Sequence, residues 1–190
     1  GFDAMLLAYI LQQKTQRKPK VMTHHLWYLT ETTALPAQKM GFIEASFENG
    51  VNLLKKNNLV VLFPEGEHGN FKPTTKKYQL QEFKRGFIRM ALKTQSAIVP
   101  TLIIGAEETH INLQKLKFTK FLRGVVLPLP LNIIPLPAKW KIIFHKPIWL
   151  PYEAERTADA ELCHDLAIEI QESMQKKLNR EIKARKSSYF

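Results

Sequence analysis

Two carboxylates and an imidazole follow a short apolar run in the first half of the chain. Residues 59–63 are apolar without exception, and Pro64 then interrupts the run. The loop that follows consists of Glu65, Gly66, Glu67, His68 and Gly69. Such a run predicts a strand buried on both faces, as in a parallel or mixed sheet. Carboxylates and imidazoles bind polar groups and transfer protons, and open α/β sheets usually bind ligands where strands end, so this loop is a candidate site.

The composition predicts one globular domain with an anionic partner. The chain has 190 residues, of which 45% are hydrophobic, and this is enough for a substantial core. Its formal net charge of +11 is compatible with nucleic acid, an anionic membrane surface or a phosphorylated substrate. The single cysteine, Cys163, excludes an internal disulfide and a cysteine-based zinc cage. The histidines lack metal-ligand spacing, so we expect no metal.

Hydrophobic patterns in the rest of the chain predict alternating helices and strands. The predicted helices cover residues 3–14, 48–56, 83–91 and 162–182, and the predicted strands cover residues 59–63, 97–104 and 140–144. Residues 21–29 are predicted to begin as a strand that runs into a loop or short helix. Ser46 is the predicted N-cap of the second helix. The strand over residues 97–104 should be buried on both faces. We therefore predict an α/β fold, a single domain in which a mixed and mostly parallel sheet is flanked by helices.

The chain contains the third motif of a known enzyme family, an apolar run followed by Phe63, Pro64, Glu65 and Gly66. Residues 41–43 and residues 98–100 stand where the second and fourth motifs of that family belong. On these residues the chain resembles the glycerolipid acyltransferases, which acylate glycerol phosphate, lysophospholipids and acylglycerols. The resemblance implies an acyltransferase domain over residues 1–152. We expect residues 153–190 to form an amphipathic, basic C-terminal helix that packs on the same domain.

The resemblance implies a catalytic His/Asp pair of which Asp3 is the acidic member. The family's first motif is a His, four arbitrary residues and an Asp before an apolar helix, so the His should stand three residues before Gly1. The chain begins without a methionine, and we expect further residues upstream. In the family chemistry the His takes the proton of an acceptor hydroxyl as it attacks an acyl thioester, and the Asp orients the imidazole. An ordinary helix N-cap is the alternative interpretation of Asp3.

By the same resemblance, the third motif binds the acceptor. Glu65 is the expected acceptor-binding side chain, and Gly66 would let backbone N–H groups approach the substrate. Phe63 and Pro64 would shape the turn around them. His68 would either bind the acceptor or form a hydrogen bond within the loop. The alternative interpretation of the motif is an ordinary strand-to-loop turn with an exposed carboxylate.

The chain departs from the phosphate-handling members of the family at two positions. Those members carry an Arg after the glycines of the second and third motifs, whereas Phe47 and His68 stand at or near these positions here. A guanidinium that binds phosphate through two parallel hydrogen bonds is therefore missing. This favours an acylglycerol or another lysophospholipid as the acceptor over glycerol phosphate and lysophosphatidic acid. Arg85 is the candidate replacement for the anion contact, with an exposed surface residue as the alternative.

These features predict an enzyme that associates with the cytoplasmic face of a membrane. It would move a fatty acyl group from acyl-CoA or acyl-carrier protein to a hydroxyl of a lysophospholipid or other glycerolipid, without a cofactor, a metal or a covalent enzyme intermediate. Its partners would be membrane lipids and the thioester donor, and the sequence does not indicate an oligomeric state. Residues 115–139 are basic and apolar, so they would either contact lipid or form buried strands joined through prolines.

Two other functions are the alternatives. A relative that keeps the scaffold but lacks the base would bind lipid or membrane without catalysis, and a residue other than His three positions before Gly1 would favour it. A basic nucleic-acid-binding domain fits the charge, but the aromatic residues recur at helix-core spacing rather than on an alternating basic sheet face. We therefore expect no nucleic-acid partner.

Overall fold

A three-stranded parallel sheet supports the predicted site. The computed structural model describes residues 2–23, 39, 41–66, 69, 72–109, 136–185 and 187. In that part of the chain the parallel strands, in the order β2-β1-β3, are β1 (Lys20–Thr23), β2 (Phe42–Glu44) and β3 (Val60–Val61). Val21 of the central strand pairs with Phe42 on one side and with Val61 on the other, and it is completely buried. The α/β fold class predicted from the sequence is therefore confirmed.

Helices cover both faces of this sheet. They are α1 (Phe2–Thr15), α2 (Phe47–Lys55) and α3 (Gly86–Thr94). Val21 packs with Ala4 and Leu7 of α1. The next residue, Met22, packs with helices α2 and α3 on the opposite face, through Val51 and Met90, because successive side chains of a strand point to opposite faces. The predicted N-cap of α2 is also present, since the Ser46 hydroxyl accepts a 3.1 Å hydrogen bond from the Asn49 N–H.

A second, antiparallel pair of strands joins the core. Strand β4 (Thr101–Ile104) pairs with β5 (Lys141–Phe144). Ile103 and Ile142 pack against the cluster beneath α1, while Leu102 and Ile104 face away from it and are buried. The prediction of a strand buried on both faces from residue 97 was wrong. The strand begins at residue 101 and its burial alternates, because only one face is fully covered, and Val99 is 47% exposed.

The longest helix, α4 (Ala160–Ala184), packs on α3 and on β4. It begins at the N-cap Asp159, whose carboxylate accepts a 3.0 Å hydrogen bond from the Leu162 N–H. Its apolar stripe buries Cys163, Ala167 and Ile170 against α3, and Leu178 against β4. The division into residues 1–152 and 153–190 stays a prediction, but α4 shares its hydrophobic core with the preceding elements.

Two predicted elements are shorter than their apolar runs. Only Val60 and Val61 of residues 59–63 are paired in the sheet. Phe83 lies in an extended segment before α3, although its ring packs edge-on against Phe87 at 6.1 Å. An apolar spacing of four places both rings in one core, but α3 begins only at Gly86, and the Lys84 N–H before it is bonded to the Pro64 carbonyl of the loop after β3.

Several predictions concern residues outside the described ranges. They include residues 24–29, where the predicted strand runs into a loop or short helix, and most of the basic, apolar segment at residues 115–139. Within the described residues, no helix has the length and apolar character needed to cross a membrane.

Candidate active site

The turn formed by residues 63–66 lies at the carboxyl edge of the parallel sheet. It follows β3 directly, with only Leu62 between Val61 and the turn. The Gly66 N–H donates a 3.0 Å hydrogen bond to the Phe63 carbonyl, which closes the turn. Gly66 has a φ of +59°, in the left-handed region that favours glycine. Phe63 is 38% exposed, so this turn opens to solvent at the edge where α/β sheets usually bind ligands.

Helix α1 brings Asp3 to the same edge of the sheet. The C-terminal end of α1 is at the opposite, amino edge, because Arg17 just after it donates hydrogen bonds to Asn57, which precedes β3. The Lys20 N–H of β1 also bonds to the Leu59 carbonyl at that amino edge, at 2.8 Å. A helix of this length extends about 21 Å. Its first turn, which carries half-buried Asp3, therefore points to the carboxyl edge where Glu65 lies.

Glu65 is half-buried and held in one position by the backbone of a neighbouring segment. Its Oε2 accepts a 2.8 Å hydrogen bond from the Gln81 N–H. A Cβ at position 69 would lie 2.9 Å from the Glu65 Cβ, so only a glycine lets the loop approach this closely. Burial raises the pKa of Glu65 above its ordinary value, although the Gln81 N–H and the nearby Lys72 charge oppose the shift. The carboxylate of Glu65 is therefore partly desolvated, so a further hydrogen-bond donor beside it would stabilise its charge.

A second hydrogen bond fixes the whole turn. The Lys84 N–H donates to the Pro64 carbonyl at 2.9 Å. Together with the bond between Gln81 and Glu65, it attaches the turn to residues 81–84 at two points. Pro64 therefore interrupts the strand and also presents the carbonyl that anchors the turn.

Near Glu65 lies a partly buried polar network that sequence reasoning did not identify. The ammonium of Lys72, a side chain that is 8% exposed, lies 2.7 Å from Glu107 Oε1 and 3.0 Å from the Gln79 carbonyl. The other oxygen of Glu107 accepts a 2.7 Å hydrogen bond from the Tyr78 N–H. Nothing in the sequence indicates that a distant lysine pairs with Glu107.

Tyr78 connects this network to the turn after β4. Its hydroxyl accepts a 3.0 Å hydrogen bond from the Gly105 N–H and a 3.3 Å hydrogen bond from Arg185. Burial is the main reason that the pKa of Tyr78 is raised to about 12. Tyr78 also has a φ of +62°, an uncommon conformation for an aromatic residue, which its surroundings must stabilise.

The two basic residues before α3 face different parts of the molecule. Lys84 Nζ lies 3.1 Å from the position that a Cβ on Gly66 would occupy, so its charge is beside the turn. Arg85 is exposed, and its Nη1 lies 3.4 Å from the Ala160 carbonyl at the start of α4. An open cleft of about 310 Å³ is lined by Glu82, Phe83, Lys84, Arg85 and His164. The predicted anion contact of Arg85 stays a prediction, and Lys84 is the nearer cation to Gly66.

The remaining predicted residues have different outcomes. His68 lies outside the described residues, so its role stays a prediction.

Thr23, at the carboxyl end of β1, was not predicted, yet its buried hydroxyl has no hydrogen-bond partner in the described structure. Thr23 is two residues after Val21 and therefore on the face covered by α1. Among the described residues, no group of three or more His, Cys, Asp and Glu side chains could hold a metal ion.

Comparisons with known proteins identify relatives of the whole chain. The family model described as Acyltransferase matches residues 1–104. Uncharacterized protein ML2427 of Mycobacterium leprae is 31% identical over 202 residues, which cover 100% of this chain and 55% of that protein. Uncharacterized protein Rv0502 of Mycobacterium tuberculosis is 30% identical over 100% of this chain and 56% of its own length. The chain thus spans about half the length of the curated relatives it matches.

The fold is similar to that of a solved acyltransferase structure. The crystal structure of PlsC, the 1-acyl-sn-glycerophosphate (LPA) acyltransferase of Thermotoga maritima, superposes with a TM-score of 0.55. The similarity covers 90% of this chain and 59% of that chain, at 16% sequence identity. At this identity the likeness concerns the fold alone.

Proposed function

This chain belongs to the acyltransferase family, as its motifs predicted, and on that premise we propose that the full-length protein acylates a hydroxyl of a glycerolipid. The observation that carries the proposal is the half-buried carboxylate of Glu65, fixed by the Gln81 N–H at the sheet edge to which α1 directs Asp3. The acceptor is a lysophospholipid or acylglycerol, and the donor is acyl-CoA or acyl-carrier protein.

The proposed reaction is direct transfer without a covalent enzyme intermediate. A His upstream of Gly1 takes the proton of the acceptor hydroxyl as its oxygen attacks the thioester carbonyl carbon. Asp3 orients that imidazole and stabilises its cationic form. The carbon–sulfur bond then breaks, and the thiolate takes the proton from the imidazolium. The products are the acylated lipid and the free thiol of the carrier.

Glu65 has the acceptor-binding role in this proposal. Its Oε2 is occupied by the Gln81 N–H, so we assign Oε1 to a hydroxyl of the acceptor. Gly66 keeps the backbone accessible beside it, and Phe63 and Pro64 shape the turn. Lys84, Arg85 and His68 are the candidate contacts for an anionic or polar headgroup. The basic surface of the protein, with a net charge of +11, supports association with the cytoplasmic face of an anionic membrane.

An acyl-transfer assay tests the proposal. The folded full-length protein would be mixed with liposomes, labelled oleoyl-CoA or oleoyl-acyl-carrier protein, and either lysophosphatidylcholine, lysophosphatidic acid or monooleoylglycerol. We expect transfer to at least one acceptor, and a loss of about 100-fold or more for Asp3→Asn. The matched control is Asp165→Asn, which changes an exposed carboxylate on α4.

Three outcomes would contradict the proposal. Absence of transfer to any acceptor from either donor would favour the non-catalytic lipid-binding relative, above all if liposome binding persists. Equal activity of Asp3→Asn and Asp165→Asn would remove Asp3 from the catalytic pair. Salt-dependent retention on nucleic acid without liposome binding would instead favour the nucleic-acid-binding alternative.

A further inference from the structure

The backbone of residues 78–81 runs beside the turn that carries Glu65, outside both described sheets, and is held by side chains from separate parts of the chain. Its N-terminal end is bound by Glu107, which accepts the Tyr78 N–H, and its C-terminal end binds Glu65 through the Gln81 N–H. The ammonium of Lys72 binds the Gln79 carbonyl between them. A segment that lacks a sheet partner needs such bonds, since buried backbone groups are costly when unpaired.

Gln175 of α4 supplies the central contacts of this segment. Its Oε1 accepts a 2.7 Å hydrogen bond from the Leu80 N–H, and its Nε2 donates a 2.9 Å hydrogen bond to the Tyr78 carbonyl. One carboxamide thus binds the N–H and the C=O of residues two apart, as a residue of a neighbouring strand would. A carboxylate or a hydroxyl cannot reproduce this pair of contacts at neutral pH, because the first lacks a donor and the second is too short.

The carboxamide itself is held rigidly. Its Nε2 also donates a 2.8 Å hydrogen bond to Asn179 Oδ1, one turn later on α4. The neighbouring residues Met174 and Leu178 pack into the core cluster around β4. The position of the amide is therefore fixed by the helix, and the helix is fixed by the core.

We propose that Gln175 is a positioning residue for the acceptor site: through residues 78–81 it fixes the Gln81 N–H that holds the carboxylate of Glu65. This inference rests on the acceptor-binding role proposed above for Glu65. Gln175 lies on α4, beyond residues 1–104, the range matched by the family model. In this proposal, α4 therefore contributes to the site as well as to the core.

The conformation of Tyr78 shows why the segment needs this support. A φ of +62° is strained for a residue with a large side chain, so an unsupported segment would relax to a more ordinary conformation. Relaxation would turn the backbone at residue 78 and move the N–H of Gln81, three residues later. Glu65 would then lose its fixed orientation, although its own side chain is unchanged.

Kinetics of Gln175→Met in the full-length protein test the proposal. Methionine has a similar length and favours helix, but it removes both hydrogen bonds. With oleoyl-CoA and whichever lysolipid or acylglycerol the wild type accepts, we expect kcat/KM for the acceptor to fall about tenfold, which corresponds to about 1.4 kcal/mol. The KM for oleoyl-CoA should not change. The matched control is Gln171→Met, a half-buried glutamine one turn earlier on α4, which should resemble the wild type.

A double-mutant cycle separates positioning from general stability. If Gln175 acts through Glu65, then Gln175→Met combined with Glu65→Gln should lose less activity than the product of the two single losses. Multiplicative losses, or equal kinetics of Gln175→Met and Gln171→Met, would overturn the proposal and leave the proposed function intact. If Gln175→Met does not fold, Gln175→Glu keeps the acceptor for the Leu80 N–H, and we expect it to raise the KM for the acceptor selectively; an unchanged KM would contradict the proposal.

Hydrogen exchange gives a readout that does not depend on activity. The amides of Leu80 and Gln81 should exchange at least tenfold faster in Gln175→Met than in Gln171→Met. If the wild type transfers no acyl group, this faster exchange still supports the structural part of the inference, and only the catalytic assignment fails. Equal exchange in the two variants would overturn the inference whatever the activity.

Discussion

Arg185, just after α4, lies against the buried carboxylate of Glu108, with its Nη1 2.8 Å from each of the two carboxylate oxygens. Its other terminal nitrogen donates a 2.7 Å hydrogen bond to the Lys139 carbonyl. Glu108 is only 4% exposed, so this guanidinium provides charge compensation that water cannot. The end of α4 is thereby attached to the turn that also carries Glu107.

Removal of Arg185 should destabilise the protein strongly. We expect Arg185→Met to lower the free energy of unfolding by about 3 kcal/mol, because it leaves the Glu108 carboxylate buried without its partner. Urea denaturation at pH 7 measures this change. The control Arg180→Met alters an exposed residue of the same helix and should change the free energy by less than about 0.5 kcal/mol. A similar effect of both variants would contradict the importance of the buried pair.

The Tyr78 hydroxyl should stabilise the fold and make it sensitive to alkali. Tyr78→Phe leaves the buried Gly105 N–H without its acceptor and should cost about 1–2 kcal/mol. Since folding raises the pKa of Tyr78 to about 12, its contribution is complete below about pH 10 and is lost as the pH rises towards 12. Denaturation between pH 8 and pH 11 should show a decline in the wild type that is weaker in Tyr78→Phe. Parallel curves would contradict this linkage.

Glu65→Gln should separate activity from stability. The variant keeps an acceptor for the Gln81 N–H but loses the negative charge, so we expect kcat/KM for the acceptor to fall about 10- to 100-fold. Because burial raises the pKa of Glu65, its ionisation opposes folding above the ordinary pKa of a glutamate. The variant should therefore be more stable than the wild type at pH 7, and the difference should vanish below about pH 4.

The control for this comparison is Glu82→Gln, which changes an exposed carboxylate directly after Gln81. It should affect neither the kinetics nor the pH dependence of stability. If Glu65→Gln is less stable than the wild type at pH 7, the carboxylate is better solvated or better paired than the structure indicates. If it keeps full activity, Glu65 does not bind the acceptor.

Lys84 should affect an anionic acceptor more than Arg85. Lys84 Nζ is beside Gly66, whereas the Arg85 guanidinium is directed to the start of α4. With lysophosphatidic acid as the acceptor, we expect Lys84→Ala to raise the KM about fivefold or more, and Arg85→Ala to raise it less. Monooleoylglycerol, which lacks a phosphate, is the matched control acceptor and should show no such difference. A larger effect of Arg85→Ala would support the contact predicted from the sequence.

The site turn was predictable because its signals are local. A short apolar run, a proline and a glycine are enough to place a strand, its end and a tight turn, and Gly66 has the conformation expected of a glycine there. The Ser46 cap was predictable for the same reason, since a cap involves only residues three apart. The apolar stripe over residues 162–182 likewise placed the central part of α4, which runs from Ala160 to Ala184 and is shorter than the helix expected over residues 153–190. The family's motifs then assigned chemistry to Asp3 and Glu65.

The environment of Glu65 was not predictable, because it depends on residues that are distant in the chain. The amide of Gln175 lies beside the apolar stripe of α4, yet periodicity alone cannot tell that it faces the backbone of residues 78–80 rather than solvent. The ion pair of Lys72 was unpredictable for the same reason. In the sequence Lys72 is one cation of a polar loop, and only the fold brings Glu107 beside it. The prediction that Phe83 lies in a helix was wrong. The spacing of apolar residues indicates which side chains share a core, but it does not determine the backbone conformation at each of them.

The sequence by itself determined the family, the alternation of helices and strands, and the types of the reactive groups, since all of these are properties of residues close together in the chain. Only the tertiary structure decided how Glu65 is oriented, which cation lies beside its turn, and that Gln175 of α4 binds the backbone of residues 78–80 from almost 100 residues away. The physical reason is that hydrogen bonds and burial act over a few ångströms in space, and folding alone brings these distant residues within that range.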